Sequence, residues 1–169
     1  MATTKGPYFR RDKSLRSADP YRDDASIPEP SICQRCKAVW SKGKWSLDPA
    51  LRKEVEHWGK PRPVICPACR RIEDGYPGGI LHLAGSFLQD HKEQILKTLK
   101  NEEVATLRRN PLDRIIRLED GGVEGITVQT TSEKLAQRLG KAVNRACGGE
   151  LDIRFSHQEK LVRVYWRRD

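Results

Sequence analysis

Cys33-Gln34-Arg35-Cys36 and Cys66-Pro67-Ala68-Cys69 are the two stretches that decide how this chain is organised. Each pair encloses two residues, and 29 residues separate Cys36 from Cys66. Two thiolates at this spacing bind one metal ion from a tight turn whose amides point at sulfur, and two such turns complete a tetrahedral shell. In a reducing compartment, tight cysteine pairs point to metal thiolates rather than disulfides. The expectation is one structural Zn2+ held by Cys33, Cys36, Cys66 and Cys69, with no open position for a hydrolytic water. The competing readings are a redox dithiol, an iron–sulfur cluster and cysteines that only pack. A redox site normally needs one pair within a larger sheet fold, and ferredoxin spacings differ. Cys147 stands apart and is expected to be buried against a sheet.

Around the pairs, Ala38-Val39-Trp40 and the later Ile80, Leu81 and Leu83 read as short strands at the metal. Between them, Asp48-Pro49 is a helix start, Leu51, Val55 and Trp58 share one helical face, and Gly59 is a stop. Residues 31–85 therefore read as a four-cysteine zinc-ribbon domain with an inserted helix. Arg35, Lys37, Lys42, Lys44, Arg70 and Arg71 crowd this segment, interleaved with Trp40 and Trp45. Cations and aromatic faces together suit phosphates and unstacked bases; the alternative is that the tryptophans supply a miniature core. Asp74-Gly75-Tyr76-Pro77-Gly78-Gly79 is a turn cluster whose glycines permit either chain reversal or close backbone approach.

Residues 86–169 read as an α+β domain. Leu88, Ile95 and Leu99 recur at helical spacing, a second helical piece carries Val104 and Leu107, and Pro111 prevents continuation. Arg114 to Leu118 and Ile126 to Thr130 form a hairpin around Gly121, Gly122 and Gly125. Thr131 or Ser132 caps a helix with an apolar stripe of Leu135, Leu139, Val143 and Ala146, and two alternating strands follow. The result is a small ββαββ-type sandwich with a helical lead-in and helices on one sheet face. Alternation then puts Arg154, Arg163, Tyr165 and Arg167 on the opposite face, which suits either RNA contact or plain solvation. The row Lys134, Arg138, Lys141 and Arg145 reads as a wet helix face.

The chain has 169 residues and a formal net charge of +9, which favours an anionic partner, nucleic acid ahead of a membrane surface. Residues 1–30 read as a flexible tail, basic with Arg10 and Arg11 and then acidic from Asp19, and poor in large apolar groups. No apolar run approaches the roughly 18–20 residues of a bilayer span, and the N-terminus lacks the apolar stretch of a secretory signal. A cytoplasmic protein with no membrane partner is expected. His57, His82, His91 and His157 are dispersed, and no phosphate-cradling loop is present, so neither an enzyme nor a small-molecule substrate is expected.

The two cysteine pairs, Arg70-Arg71, the Gly75-Tyr76-Pro77-Gly78-Gly79 turn, and Ile126 to Gly140 with Thr130, Thr131, Leu135 and Ala136 carry a resemblance. Over about residues 31–155 the chain resembles a small bacterial family of zinc-ribbon proteins. That family is distantly similar to the N-terminal part of the archaeal and eukaryotic large-ribosomal-subunit export adaptor named after nonsense-mediated decay. The adaptor carries more zinc-binding pairs and a further C-terminal domain without counterpart here, so an export role does not transfer. The resemblance implies contact with the ribosome and ribosomal RNA, and nothing enzymatic. The combined expectation is a non-catalytic, ribosome-associated, rRNA-binding zinc protein of the hibernation, protection or quality-control kind. A zinc-ribbon DNA-binding or transcription-associated protein, or a protein-interaction module, is the alternative. Its RNA contacts are expected at Arg10, Arg11, Arg35, Lys37, Lys42, Lys44, Arg70, Arg71, Arg154, Arg163, Tyr165 and Arg167.

Overall fold

The computed structural model describes residues 19–21 and 26–169 of this mixed α and β chain. The cysteine-bearing segment forms β1 (Ser31–Cys33), β2 (Val39–Ser41), β3 (Lys44–Ser46), α1 (Pro49–Trp58), β4 (Arg62–Val64) and α2 (Pro67–Asp74). The strands make a sheet of order β3-β2-β1-β4, in which β1 and β4 run parallel. A parallel pair needs a crossover, and the expected helix α1 supplies it. Asp48 starts α1 by accepting a hydrogen bond from the Ala50 amide (2.9 Å), with Pro49 in the first turn. Val55 and Leu51 pack on Ile32 and Val39, whereas Trp58, placed on the same face by its spacing, is 79% exposed. Only the first turns of α1 reach the sheet. The β2–β3 hairpin turns at Lys42-Gly43, both at positive φ, and the Glu29 carboxylate accepts from both amides.

Directly after the second cysteine pair comes a helix, not a strand at the metal. Cys66 is the N-cap of α2 and Pro67 opens its first turn. The helix stops at Gly75, whose left-handed φ of 59° lets Tyr76 N–H donate to the Arg71 carbonyl. The glycine cluster thus serves as a helix stop and as a site of close approach within the chain.

The remainder forms β5 (Gly79–Ala84), α3 (Ser86–Asp90), α4 (Lys92–Leu107), β6 (Ile115–Asp120), β7 (Ile126–Thr130), α5 (Glu133–Cys147), β8 (Glu150–Phe155) and β9 (Val162–Arg167). Their sheet has the order β6-β7-β5-β9-β8, with β5 parallel to β9 and antiparallel to β7. The strand expected beside the metal, Ile80 to Leu83, is therefore the centre of the second sheet. Its alternate residues Leu81 and Leu83 are buried in the cluster that includes α5 and β9, so a division at residue 85 would cut through this core. The two helical pieces expected before Pro111 are mostly one continuous helix, α4.

Helix α5 packs on β5, β7, β8 and β9, and α4 packs on α5. Ser132 Oγ caps α5 by accepting from Leu135 N–H (3.1 Å). Leu135, Leu139 and Val143 are buried as their spacing predicts, but Ala142 and Cys147, rather than Ala146, complete the inward stripe. On β9, Val162, Val164 and Trp166 face this core and Arg163, Tyr165 and Arg167 face away. Among the described residues no helix is long and apolar enough to cross a membrane.

At Gly79 the strand passes close beneath the start of α5. A Cβ there would lie 2.5 Å from Ala136 Cβ and 2.8 Å from Thr130 Oγ1. Gly79→Ala should therefore destabilise the chain by about 1–3 kcal/mol through overpacking, read as a lower urea midpoint with unchanged slope.

Candidate metal centre

Cys33 closes β1, and the parallel partner β4 delivers Cys66 beside it, with Gln34 N–H donating to the Val64 carbonyl (2.8 Å). The first turn is tight: Cys33 N–H donates to Ala38 O (2.8 Å) and Lys37, at φ 64°, donates back to Cys33 O (3.0 Å). The sulfurs of Cys33, Cys36, Cys66 and Cys69 all lie within 4.8 Å of one another, and those of Cys36 and Cys66 are 3.7 Å apart. A tetrahedron with metal–sulfur bonds of about 2.3 Å has an edge of roughly 3.8 Å. All five cysteines are free thiols, and Cys33, Cys66 and Cys69 are buried. The donor set and its spacing fit a single metal ion.

The surrounding backbone is arranged for negative sulfur. Cys66 N–H points at Cys33 Sγ (3.3 Å) and Cys69 N–H at Cys66 Sγ (3.4 Å), at the N-terminus of α2, where the helix dipole favours anions. Four thiols this close cannot all ionise unaided. The hydrogen bond from Cys66 pulls Cys36 down to about 4, while donating it pushes the Cys66 thiol far up. Burial, reinforced by the charge of Cys36, pushes Cys69 up to about 12. A dication at the centre would resolve this conflict by displacing the protons.

Trp40 and Trp45 are both buried, with ring centroids 5.5 Å apart, and with Ala38 and Ala68 they wall in the cysteines. Their faces are the core of the metal centre and are not presented to bases. Of the cations expected to form a docking surface, Lys37, Lys42 and Lys44 remain exposed at the rim. Arg35 pairs with Glu73 at 2.6 Å. Arg70 donates to the Tyr21 carbonyl (3.3 Å). Arg71 is 6% exposed, and its guanidinium lies 2.5 Å from the Asp19 carboxylate and 4.5 Å from the Tyr21 ring centroid. Arg71 is thus a structural ion, not a surface contact.

The partner of Arg71 lies in the segment expected to be a flexible tail. Asp19 also accepts from Lys160 Nζ (3.2 Å), and Tyr21 Oη donates to Asp74 (2.6 Å), so residues 19–21 clamp α2 to the loop before β9. Arg10 and Arg11 lie outside the described residues. No local pattern announces the clamp, because its three ions are distant in sequence.

Arg154, Arg163, Tyr165 and Arg167 share the outer face of the second sheet, as alternation predicts. Tyr165 stacks on His82 at 5.1 Å, and the Arg154 guanidinium lies 5.1 Å from the Tyr165 centroid. Sequence reasoning missed His82, whose place opposite Tyr165 follows only once β5 is paired with β9. Arg154 is paired with Asp152 (2.7 Å) and Arg167 with Asp169 (3.0 Å), so much of the charge of this face is locally neutralised. No protein-family model, curated protein or solved structure matches the chain.

Two outcomes test this geometry. Cys36→Ser should lose bound metal by elemental analysis and lower the melting temperature, since binding and folding of such a site are coupled; full metal content with unchanged melting would refute the four-sulfur centre. Asp19→Ala should cost about 3 kcal/mol at pH 7 by leaving buried Arg71 without its anion. Burial by itself would raise the Asp19 carboxyl, but the Tyr21 amide and the charges of Arg71 and Lys160 outweigh it and hold it below its ordinary value. The deficit of the variant is therefore full above the unfolded carboxylate pKa of about 4 and shrinks as pH falls through the lower folded value, measurable by urea unfolding across that range.

Proposed function

We propose that this chain is a non-catalytic zinc protein of the cytoplasm that binds ribosomal RNA on the ribosome. The observation that carries the reading is the closed four-sulfur cage. Its 3.7 Å edge matches one Zn2+ bound by Cys33, Cys36, Cys66 and Cys69. An iron–sulfur cluster interposes sulfide between its irons and needs its thiolates farther apart. Four thiolates fill the zinc shell, leaving no position for a substrate or an activated water, so the metal's role is to hold a surface in shape.

That surface is cationic. Lys37, Lys42 and Lys44 project from the turn and hairpin beside the cage, and the whole chain carries +9. Phosphate neutralisation with counterion release is the main source of affinity open to such a protein. The resemblance of its cysteine pairs, glycine turn and following α/β segment to the ribosomal export adaptor directs the proposal to the ribosome rather than to DNA. Arg71 is withdrawn from the proposed contacts because its charge is buried on Asp19.

Sedimentation of cell lysate through sucrose gradients tests this reading. The protein should travel with a ribosomal subunit at low salt, release as salt rises, and crosslink to ribosomal RNA. Retention in the top fractions at every salt concentration, or recovery of chromosomal DNA in place of ribosomal RNA, would overturn it.

A further inference from the structure

Two grooves flank α4 and meet at one residue. The first, about 500 Å³, lies between β3 and the end of α4 and is lined by Lys44, Trp45, Leu47, Val104, Arg108 and Arg109, with Asp48 at its edge. The second, about 430 Å³, lies between α4 and α5 and is lined by Arg109, Arg138, Lys141, Arg145, Thr106 and Glu102. Arg109, just past the end of α4, stands in the wall of both.

The cations of these two grooves, taken together as a cleft, contrast with several others on the molecule. Arg35, Arg71, Arg117, Arg154 and Arg167 each sit on a carboxylate. In the cleft, Lys44, Arg108, Arg109, Lys141 and Arg145 make no ion pair with any described residue, and Arg138 shares Glu102 at 3.5 Å. Asp48, the other acid present, is occupied in capping α1. Arg138, Lys141 and Arg145 follow one another at three- and four-residue spacing along α5, a row of roughly 10 Å whose mutual repulsion costs the helix stability in the absence of an anion.

A second, independent observation concerns Trp45. It is 7% exposed, it lines the first groove, and its indole N–H is buried with no acceptor. A buried donor left unmatched is costly, and buried indoles ordinarily find a partner. Beside it, Leu47 and Val104 are each about two-fifths exposed and give the groove apolar surface. Cations along a cleft with an apolar floor suit an unstacked strand, with its phosphates on the charges and its bases and sugars on the floor.

We infer that the two grooves together form one track for single-stranded RNA, running from the hairpin at Lys44 and Trp45, around the end of α4 past Arg109, to the Arg138, Lys141 and Arg145 row. This rests on the RNA-binding reading above and names its site. The α5 row, which sequence pattern assigns to solvent, becomes a phosphate contact, and the outer face of the second sheet becomes secondary.

The test is fluorescence anisotropy of a labelled oligouridine with the full, zinc-loaded chain, across a salt series. Lys141→Ala with Arg145→Ala, and separately Lys44→Ala with Arg108→Ala, change solvent-exposed side chains only. Each double variant should keep its zinc and melting temperature and bind at least about tenfold more weakly. Each should also show a log K against log salt slope shallower by about 1.4, the loss of two single-strand phosphate contacts. Lys53→Ala with Lys97→Ala, exposed and outside both grooves, should change affinity less than about twofold. If the unaltered chain binds no RNA, the RNA-binding reading itself fails. If it binds and the cleft variants bind equally well, or only one of the two doubles is affected, the continuous track is overturned while RNA binding stands. Tighter binding of duplex DNA or polyglutamate than of oligouridine would also overturn it.

Discussion

Four sulfur atoms held within 4.8 Å of one another are the constraint on which the first half of the structure depends. The four strands around them are three residues long each, shorter than strands that sustain a sheet unaided. Their apolar cluster is built largely from the cysteines themselves with Trp40 and Trp45. An assembly of this size has too little buried apolar surface to offset its chain entropy, and a metal bridge is the usual remedy. The parallel pairing of β1 with β4 follows from the same constraint, because it brings the end of one strand beside the start of α2. The long insertion between the cysteine pairs is what a parallel crossover requires.

The two sheets are tied by more than chain connectivity. Leu112, which follows α4, packs on the metal-centre cluster, and Asp19 bridges Arg71 on α2 to Lys160 between β8 and β9. Gly78 O accepts from Val162 N–H (3.2 Å), locking the turn after α2 to the start of β9. The hairpin of Lys44 and Trp45 is thereby held against the end of α4. These contacts fix the hairpin relative to α4, which gives the proposed RNA track its shape.

Features written in local sequence were legible. The four-cysteine cluster follows from spacing, α1 and α5 from their caps at Asp48 and Ser132, and the two faces of β9 from alternation. The features that escaped depend on distant partners. Ile80 to Leu83 reads as a strand, but only pairing with Val164 and Val128 assigns it to the second sheet. The helix after Cys66 had a local signal, Pro67 in the first turn, masked by the expectation that paired cysteines sit in ribbon turns. Charge was legible in number but not in effect. Arg70 and Arg71 are neighbours in an obvious basic motif, yet Arg71 is buried on Asp19, while in the α5 row, which reads as a wet face, Lys141 and Arg145 have no carboxylate partner among the described residues. Which cations remain available is set by carboxylates tens of residues away.

The order of strands in the second sheet has a consequence for how the molecule forms. The central strand β5 is the first strand of that sheet in sequence, and its neighbour β9 is the last. During synthesis, the cysteine segment can close as soon as Cys69 and α2 have emerged. The inward residues of β5 must wait for Val162–Arg167, about 80 residues later, before both edges are paired. Long-range parallel pairing of this kind is slow to form and leaves strand edges exposed meanwhile. An early cysteine segment, closed if its four sulfurs take a metal, followed by a late-zipping sheet predicts folding in two kinetic steps, the second governed by arrival of the final strand.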